Sequence, residues 1–478
     1  MTFFTTSSPL YTINYWDDAN CYFTLGRSII HGLVPYKDVY EQKGPYIYFI
    51  HSLAAAISED SFIGVYVLEI IFAIVFTIFV WKTVRLFFPY TRSSLALIPL
   101  QVVVTYSTFA FYYGDSAEEI CFPFLAIVVY YGIKNEIKGT LPDKKQTFVI
   151  GLIAGAMFFV KYNFDALIFG YLIFVLVSSL ARKKYKDLLV RVGIFLLGFA
   201  LAIAPGILYF YLNGALNDFI TAYFYNNIFL YGMVQSKFHI QNNLYYISYS
   251  LRQNEHIYLL LLLALFFIGA TKKGVKNMYL LMTAMVILAT YGMSMHMFYY
   301  GFILTALLAP GWAMVAFLYG KLNDRIDKAT SSRSLMRFVP VFLIVIVTAT
   351  KFITHDNIPY LMQPEENIPQ VQIGKIISET SNPKVLTYDV MDGGFYTYSG
   401  ALPANKYYCF LNIKSSLKEL GDSQDEAIRN GEFDYIITFS DEFCWDKYEI
   451  VYSHTNDRLL RDAFGLIEET YYLYKRVE

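Results

Sequence analysis

The sequence predicts an α-helical polytopic membrane protein with a small extracytoplasmic α/β domain at its C-terminal end, and three observations carry that reading. The 478 residues are 56% apolar and only 16% charged, a balance that fits poorly with a soluble multidomain chain. About ten apolar runs are long enough to cross a bilayer, whose core needs ~20 mostly apolar residues per helix. Lys and Arg cluster in every second connection between those runs, the pattern of a multi-pass plasma-membrane protein.

The runs fall at 62–88, 93–112, 117–134, 146–163, 165–181, 189–212, 256–270, 278–296, 298–320 and 338–353. The basic connections hold Lys82, Arg85 and Arg92; Lys134, Lys138, Lys144 and Lys145; Arg182, Lys183, Lys184, Lys186 and Arg191; Lys272, Lys273 and Lys276; and Lys321, Arg325, Lys328, Arg333 and Arg337. The connections between them hold only Lys161, Lys237 and Arg252. By the positive-inside rule the first set is cytoplasmic. Residues 1–61 then form an extracytoplasmic first loop with interfacial helices, 62–354 the transmembrane domain, and 355–478 the extracytoplasmic α/β domain. The start "MTFFTTSSPLYTINY" contains neither a spanning run nor a signal-peptide pattern. Since this topology needs 11–61 outside, one further helix is expected ahead of the first loop, making eleven. The outer loop 213–255, with "YFYNNIFLYG", reads as an interfacial segment or as a buried re-entrant helix.

In the tail, "KVLTYDV", "DYIITFS", "EIVYSH" and "YYLYKRV" read as strands between helical stretches near 369–380 and 414–430. No phosphate-cradling or nucleophile-elbow motif occurs there, and "DGG" at Asp392 is a turn by default. The net charge of -1 and the lack of a strongly basic patch exclude nucleic acid as a partner. Four cysteines without CxxC or Cys/His spacing make a zinc site unexpected.

Charge concentrates in "WDDANCYFTLGRSIIHGLVPYKDVYEQKGPY". Tyr22, Leu25 and Ile29 recur at helical spacing and Gly32 supplies a stop, so a short helix runs from Asp17 to His31. Asp17 falls near its N-cap, where a carboxylate accepts orphan backbone N–H bonds. Two consecutive acids cannot both cap, and a general base is a second use for one. Asp38, Glu41 and Lys43 follow. Lys43 precedes a Gly-Pro helix start, where an ammonium and the positive helix end together suit a phosphate; a Lys snorkelling to lipid headgroups is the plainer reading. Further outer-end groups are Asp115, Glu118 and Glu119 in "YYGDSAEE", Lys161, Asn163 and Asp165 in "VKYNFD", and His296 in "SMHMFYYG".

At these residues the sequence resembles the bacterial membrane glycosyltransferases of the GT-C type, particularly those like glycosyltransferase family 39 and the lipid A aminoarabinose transferases. The resemblance implies an inverting glycosyltransferase that uses a polyprenyl-phosphate-linked sugar and an envelope glycopolymer, lipid or protein acceptor, with membrane lipid around it. It implies a first-loop base, Asp18 first and Asp17 second, with Lys43 and Lys161 on the donor phosphate. Asp38, Glu41, Asp115, Glu118, Glu119, Asn163 and His296 form a supporting polar cluster. No cofactor or metal is expected, although some relatives use a divalent metal and the acid cluster is able to hold one. A transporter or flippase of a lipid-linked saccharide is the alternative; it usually shows midplane charges and internal repeats, which the sequence lacks. A structural protein presenting the tail domain is a third reading.

Overall fold

A computed structural model of the chain describes residues 1–88, 97–107, 111, 114–231, 255–293, 304–329, 335–355, 357–443, 445–462 and 465–477. Two short helices come first, α1 (Asp17–Ile30) and α2 (Pro45–Ala55). Helices then stand on all ten predicted runs: α3 (Ile63–Phe87), α4 (Ile98–Tyr106), α5 (Ala117–Lys138), α6 (Lys144–Lys161), α7 (Asp165–Ala181), α8 (Tyr185–Leu212), α9 (Glu255–Gly269), α10 (Lys273–Met293), α11 (Ala309–Ala329) and α12 (Leu335–Thr354). By length and apolarity, four described stretches qualify to cross a membrane: Ile63–Phe87, Ala117–Lys138, Lys144–Ala181 and Tyr185–Leu212. His256–Gly269 and Phe338–Thr354 are shorter apolar helices. α11 departs from its expected run: it begins only at Ala309, with Pro310 in the first turn, and continues through the polar "KLNDRIDKA", which contains no helix breaker.

The direction of the helices follows from their contacts. A side chain on Gly155 of α6 would meet Phe199 O of α8 at 2.5 Å, and one on Gly151 would collide with Phe195 O. Positions four residues apart on one helix therefore meet positions four apart, in the same order, on the other. The small-xxx-small stripe packs α6 and α8 in parallel, and α7, which connects them, runs the opposite way. Lys272 Nζ donates to Ile137 O (3.0 Å) and Arg182 Nη1 to Gly139 O (3.0 Å), while Phe87 packs on Phe267. The basic end of α3 and the α5–α6, α7–α8 and α9–α10 connections are thus gathered at one end of the bundle, and the candidate residues on α1, α2 and the starts of α5 and α7 at the other. Leu189, Leu196, Leu201 and Leu208 of α8 are exposed.

The tail adds α13 (Pro369–Ser378), β1 (Val385–Thr387), α14 (Phe395–Ser399), α15 (Lys418–Asn430), β2 (Tyr435–Thr438), β3 (Tyr448–Asp462) and β4 (Gly465–Arg476). The sheet order is β1-β2-β4-β3, with β1 parallel to β2 and the other pairs antiparallel. β3 and β4 exceed their predicted lengths. The polar "HTNDRLLRD" hides a ladder that continues through Thr455↔Thr470 and Leu460↔Ile467, interrupted by two register shifts.

α1 differs from the interfacial helix expected of it. Ala19 to Ser28 are all buried, because α2 covers one side and the tail domain the other. Arg27 Nη1 donates to Tyr396 O (2.7 Å) and Ala401 O (3.3 Å), and Thr24 Oγ1 donates to Asp392 Oδ2 at 2.5 Å. Asp392 is therefore more than part of a turn: it is fully buried, accepts the Gly394 N–H (2.9 Å) and anchors α1. Burial raises its carboxyl above the usual range, against the opposing pull of Thr24, Gly394 and Arg27.

Candidate active site

Lys43 is placed by its own backbone. Gly44 is the N-cap of α2 and Pro45 its first residue, as the Gly-Pro start predicts. The Gly44 N–H donates to Val160 O at the end of α6 (3.2 Å), and a side chain on Gly44 would lie 2.6 Å from Val160 O and collide with Phe159 O. Only glycine allows this approach. Gly44→Ala is expected to cost about 1–3 kcal/mol of stability, as overpacking does, and to shift Lys43; thermal unfolding in detergent reads the first effect and donor affinity the second. The Lys43 N–H donates to Glu41 Oε2 (2.8 Å) and to the Tyr48 hydroxyl (3.0 Å), while the Tyr36 hydroxyl donates to Lys43 O (2.6 Å). Tyr36 holds a left-handed φ of 68°, unusual for an aromatic residue, so part of this loop is strained to keep its shape.

The Lys43 ammonium reaches Asp18 Oδ2 at 3.3 Å, and the Tyr22 hydroxyl donates to the same oxygen at 3.2 Å. Tyr22 stands one helical turn after Asp18, with its ring 5.6 Å from Lys43 Nζ. The side chains of Asp18 and Lys43 are 27% and 22% exposed, sheltered yet reachable by a ligand. Burial alone would lower Lys43, but the carboxylates of Asp18 and Glu41 hold it above the ordinary lysine value, so it is cationic at neutral pH. Asp17 lies in the first turn beside the N-cap, as expected. Trp16 is the N-cap, with no side-chain cap bond, and Asp17 is exposed, its Oδ1 3.6 Å from where a Cβ on Gly393 would lie. One residue turns a helix by about 100°; Asp18 consequently faces Lys43, and Asp17 faces the tail domain.

Beneath this pair, His51 Nε2 and Asp115 Oδ2 lie 2.7 Å apart and are buried. Burial pulls His51 down, but the Asp115 carboxylate and its hydrogen bond raise it above the ordinary imidazole value; Asp115 is itself raised by burial, against the pull of His51. The stabilisation from His51 is then complete below its unfolded value of about 6.5 and is lost as pH rises through the raised folded value; the raised Asp115 acts in the same direction. His51→Gln should cost about 3–5 kcal/mol and flatten the fall in melting temperature between pH 6 and pH 9. A fall of the same steepness in the variant would contradict the assignment.

Lys161, at the C-terminal end of α6, pairs with Glu118 in the first turn of α5. Glu119 Oε2 accepts the Asp115 N–H (3.1 Å), and the Glu119 N–H donates to Ser116 Oγ (3.0 Å), so Ser116 and not a glutamate caps α5. Asp165 opens α7 with both carboxylate oxygens buried and without a hydrogen-bond partner among the described residues. Asp38 is a loop residue that accepts the Val34 N–H (2.8 Å). Asn163 lies in the Tyr162–Phe164 turn between α6 and α7. His296 lies outside the described residues. Among those described, no group of three or more His, Cys, Asp or Glu side chains is arranged to hold a metal.

A family model for dolichyl-phosphate-mannose-protein mannosyltransferases matches residues 42–209, which takes in Lys43, Asp115, Glu118, Glu119, Lys161 and Asn163 and begins after Asp17 and Asp18. Among solved structures, ArnT from Cupriavidus metallidurans in the apo state is similar to the chain at a TM-score of 0.62 and 10% identity, over 98% of this chain and 95% of that one. The same protein bound to undecaprenyl phosphate gives a TM-score of 0.59 with the same identity and coverage. The chain resembles a GT-C-type membrane glycosyltransferase. No curated protein matches it in sequence.

Several parts of this site escaped the sequence reading. Tyr22, Tyr36 and Tyr48 look like ordinary aromatics, and His51 like a single core histidine. Glu69 on α3 accepts from Thr5 Oγ1 (3.1 and 3.0 Å) and shares with His51, Asp115 and Glu119 a cavity of about 10 Å3. Its signal was present, an acid alone within the apolar run 62–88. The loop after α8 also contributes. Its Ile220–Tyr231 segment is π-helical, Tyr223 donates to Phe158 O (2.7 Å), and Asn227 donates to Gln42 O (2.6 Å), so one face packs against the site, with Ala222, Tyr223 and Asn226 buried, while Ile220, Tyr225, Ile228 and Phe229 are exposed.

Proposed function

We propose that the chain is an inverting glycosyltransferase that moves a sugar from a polyprenyl-phosphate lipid to a cell-envelope glycopolymer, lipid or protein on the extracytoplasmic face of the plasma membrane. The observation that carries the reading is the half-buried Asp18 and Lys43 pair, 3.3 Å apart at the start of two helices. The family match through Lys43 and the likeness to ArnT support it, as does the gathering of basic connections at the opposite end.

In the unliganded protein the ammonium of Lys43 neutralises Asp18. When a donor phosphate binds, it competes for Lys43 and leaves the Asp18 carboxylate to accept the proton of the acceptor hydroxyl. The acceptor oxygen then bonds to the anomeric carbon as the carbon–oxygen bond to the lipid phosphate breaks. Polyprenyl phosphate departs with the electron pair, and one displacement inverts the centre. Lys43, with Lys161 behind it, stabilises the charge growing on the phosphate, and Tyr22 holds Asp18 in place.

The test is transfer by the purified protein from a radiolabelled polyprenyl-phosphate sugar to extracted envelope acceptors. Label is expected to move from the lipid to the acceptor, with a nucleotide sugar inactive as donor. Label that crosses a vesicle membrane still attached to its lipid would support a flippase and overturn the reading.

A further inference from the structure

The end of the bundle remote from Asp18 and Lys43 has a cleft that this reaction does not use. α6, α7 and α8 enclose a cavity of about 300 Å3 there, lined by Ile150, Phe169, Leu172, Leu176, Val192 and Phe195. Its single charged lining residue among those described is Arg191 of α8, whose side chain is 14% exposed. Arg191 Nε and Nη2 both donate to Asp187 Oδ2, at 3.1 and 2.9 Å, while the buried Nη1 has no partner among the described residues. A buried guanidinium N–H left so is costly and calls for an acceptor, best an anionic one.

The surroundings point to the same chemistry. Arg182, Lys183 and Lys184 are exposed on the turn between α7 and α8, Lys186 on the first turn of α8, and Lys144 and Lys145 on the first turn of α6. Of the nearby acids, Asp187 is taken up by Arg191 Nε and Nη2, which leaves Nη1, Asp143 is the cap that accepts the Gln146 N–H at 2.8 Å, and Glu136 lies near Arg182. An apolar slot between helices, opening beside an arginine and under a rim of lysines, fits a lipid with an acyl tail and a net negative headgroup.

We infer that this cleft binds an anionic phospholipid, with part of one acyl chain among the α6, α7 and α8 side chains and its phosphate on Arg191 Nη1. The lysine rim favours a headgroup without a balancing ammonium. The donor's phosphate is no rival for this place: Gly44 packs at Val160, and the cleft's α6 lining residues Ile150 and Thr147 lie ~15–20 Å back along that helix, at 1.5 Å per residue, and the inference stands whether or not the proposed reaction is correct.

Native mass spectrometry of the full chain, delipidated in detergent and mixed with equal amounts of phosphatidylglycerol, phosphatidylcholine or polyprenyl phosphate, tests it. Phosphatidylglycerol is expected to remain bound at collision energies that strip phosphatidylcholine. Arg191→Gln should lower its occupancy roughly tenfold, the effect of one charge-assisted hydrogen bond. Leu172→Trp fills the cleft with Arg191 intact and should release the same lipid, which keeps the test open if Arg191→Gln fails to fold. Equal retention of phosphatidylglycerol and phosphatidylcholine, or retention unchanged by both substitutions, would overturn the inference. So would polyprenyl phosphate displacing phosphatidylglycerol from the wild type, since the cleft would then belong to the donor lipid.

Discussion

Asp18→Asn is expected to lower transfer by about 10^2 to 10^4-fold, the range of a general base, with insertion and thermal stability close to wild type. The substitution keeps the size of the side chain and still accepts from the Tyr22 hydroxyl and Lys43. It removes the capacity to take a proton and one negative charge beside Lys43, where the Glu41 carboxylate remains, and folding does not depend on the proton transfer. Asp18 is moreover 27% exposed and on the first turn of α1, where a lost carboxylate costs little through the helix dipole. Asp17→Asn, altering the neighbour that faces the tail domain, should leave most activity in place. Rates measured with both variants at saturating donor decide the matter: near-normal transfer by Asp18→Asn, or collapse in Asp17→Asn alone, would put the base elsewhere.

Lys43→Ala should lower kcat/KM for the lipid donor by about 10^2 to 10^3-fold, comparable with the loss of one preorganised donor to a developing anion. Lys43→Arg should recover part of it, because the charge returns while the fit against Gly44 and Val160 does not. Lys43 also faces Asp18, so the two act as a unit, and Asp18→Asn combined with Lys43→Ala should cost far less than the sum of the separate losses. Additive losses would mean that the residues work independently. A lipid-donor KM and kcat unmoved by Lys43→Ala would remove the phosphate role.

Much of the bundle was legible because its signal is local. An apolar run of fixed length and the alternation of Lys and Arg between runs need no knowledge of partners, and the helices α3 to α12 overlap the runs those patterns mark, with α11 displaced toward its C-terminal side. Lys43 was legible for a similar reason, since Gly44 and Pro45 announce a helix start within three residues. What stayed hidden depends on contacts distant in sequence. The burial of α1 rests on Thr24 meeting Asp392 and Arg27 meeting Tyr396, and the His51 and Asp115 pair joins α2 to the loop before α5. The choice between Asp17 and Asp18 also depended on such contacts, because both acids suit the first turn of a helix equally. Their difference appears only when Lys43 and Gly393 are found on different sides of α1.

The most direct measurement is a structure of the protein with polyprenyl phosphate bound in lipid nanodiscs. The phosphate is expected within hydrogen-bond distance of Lys43 Nζ, with the contact between Lys43 and Asp18 opened and the carboxylate turned toward the acceptor side. A phosphate seated elsewhere while the 3.3 Å pair stays closed would contradict the assignment of this site to the reaction.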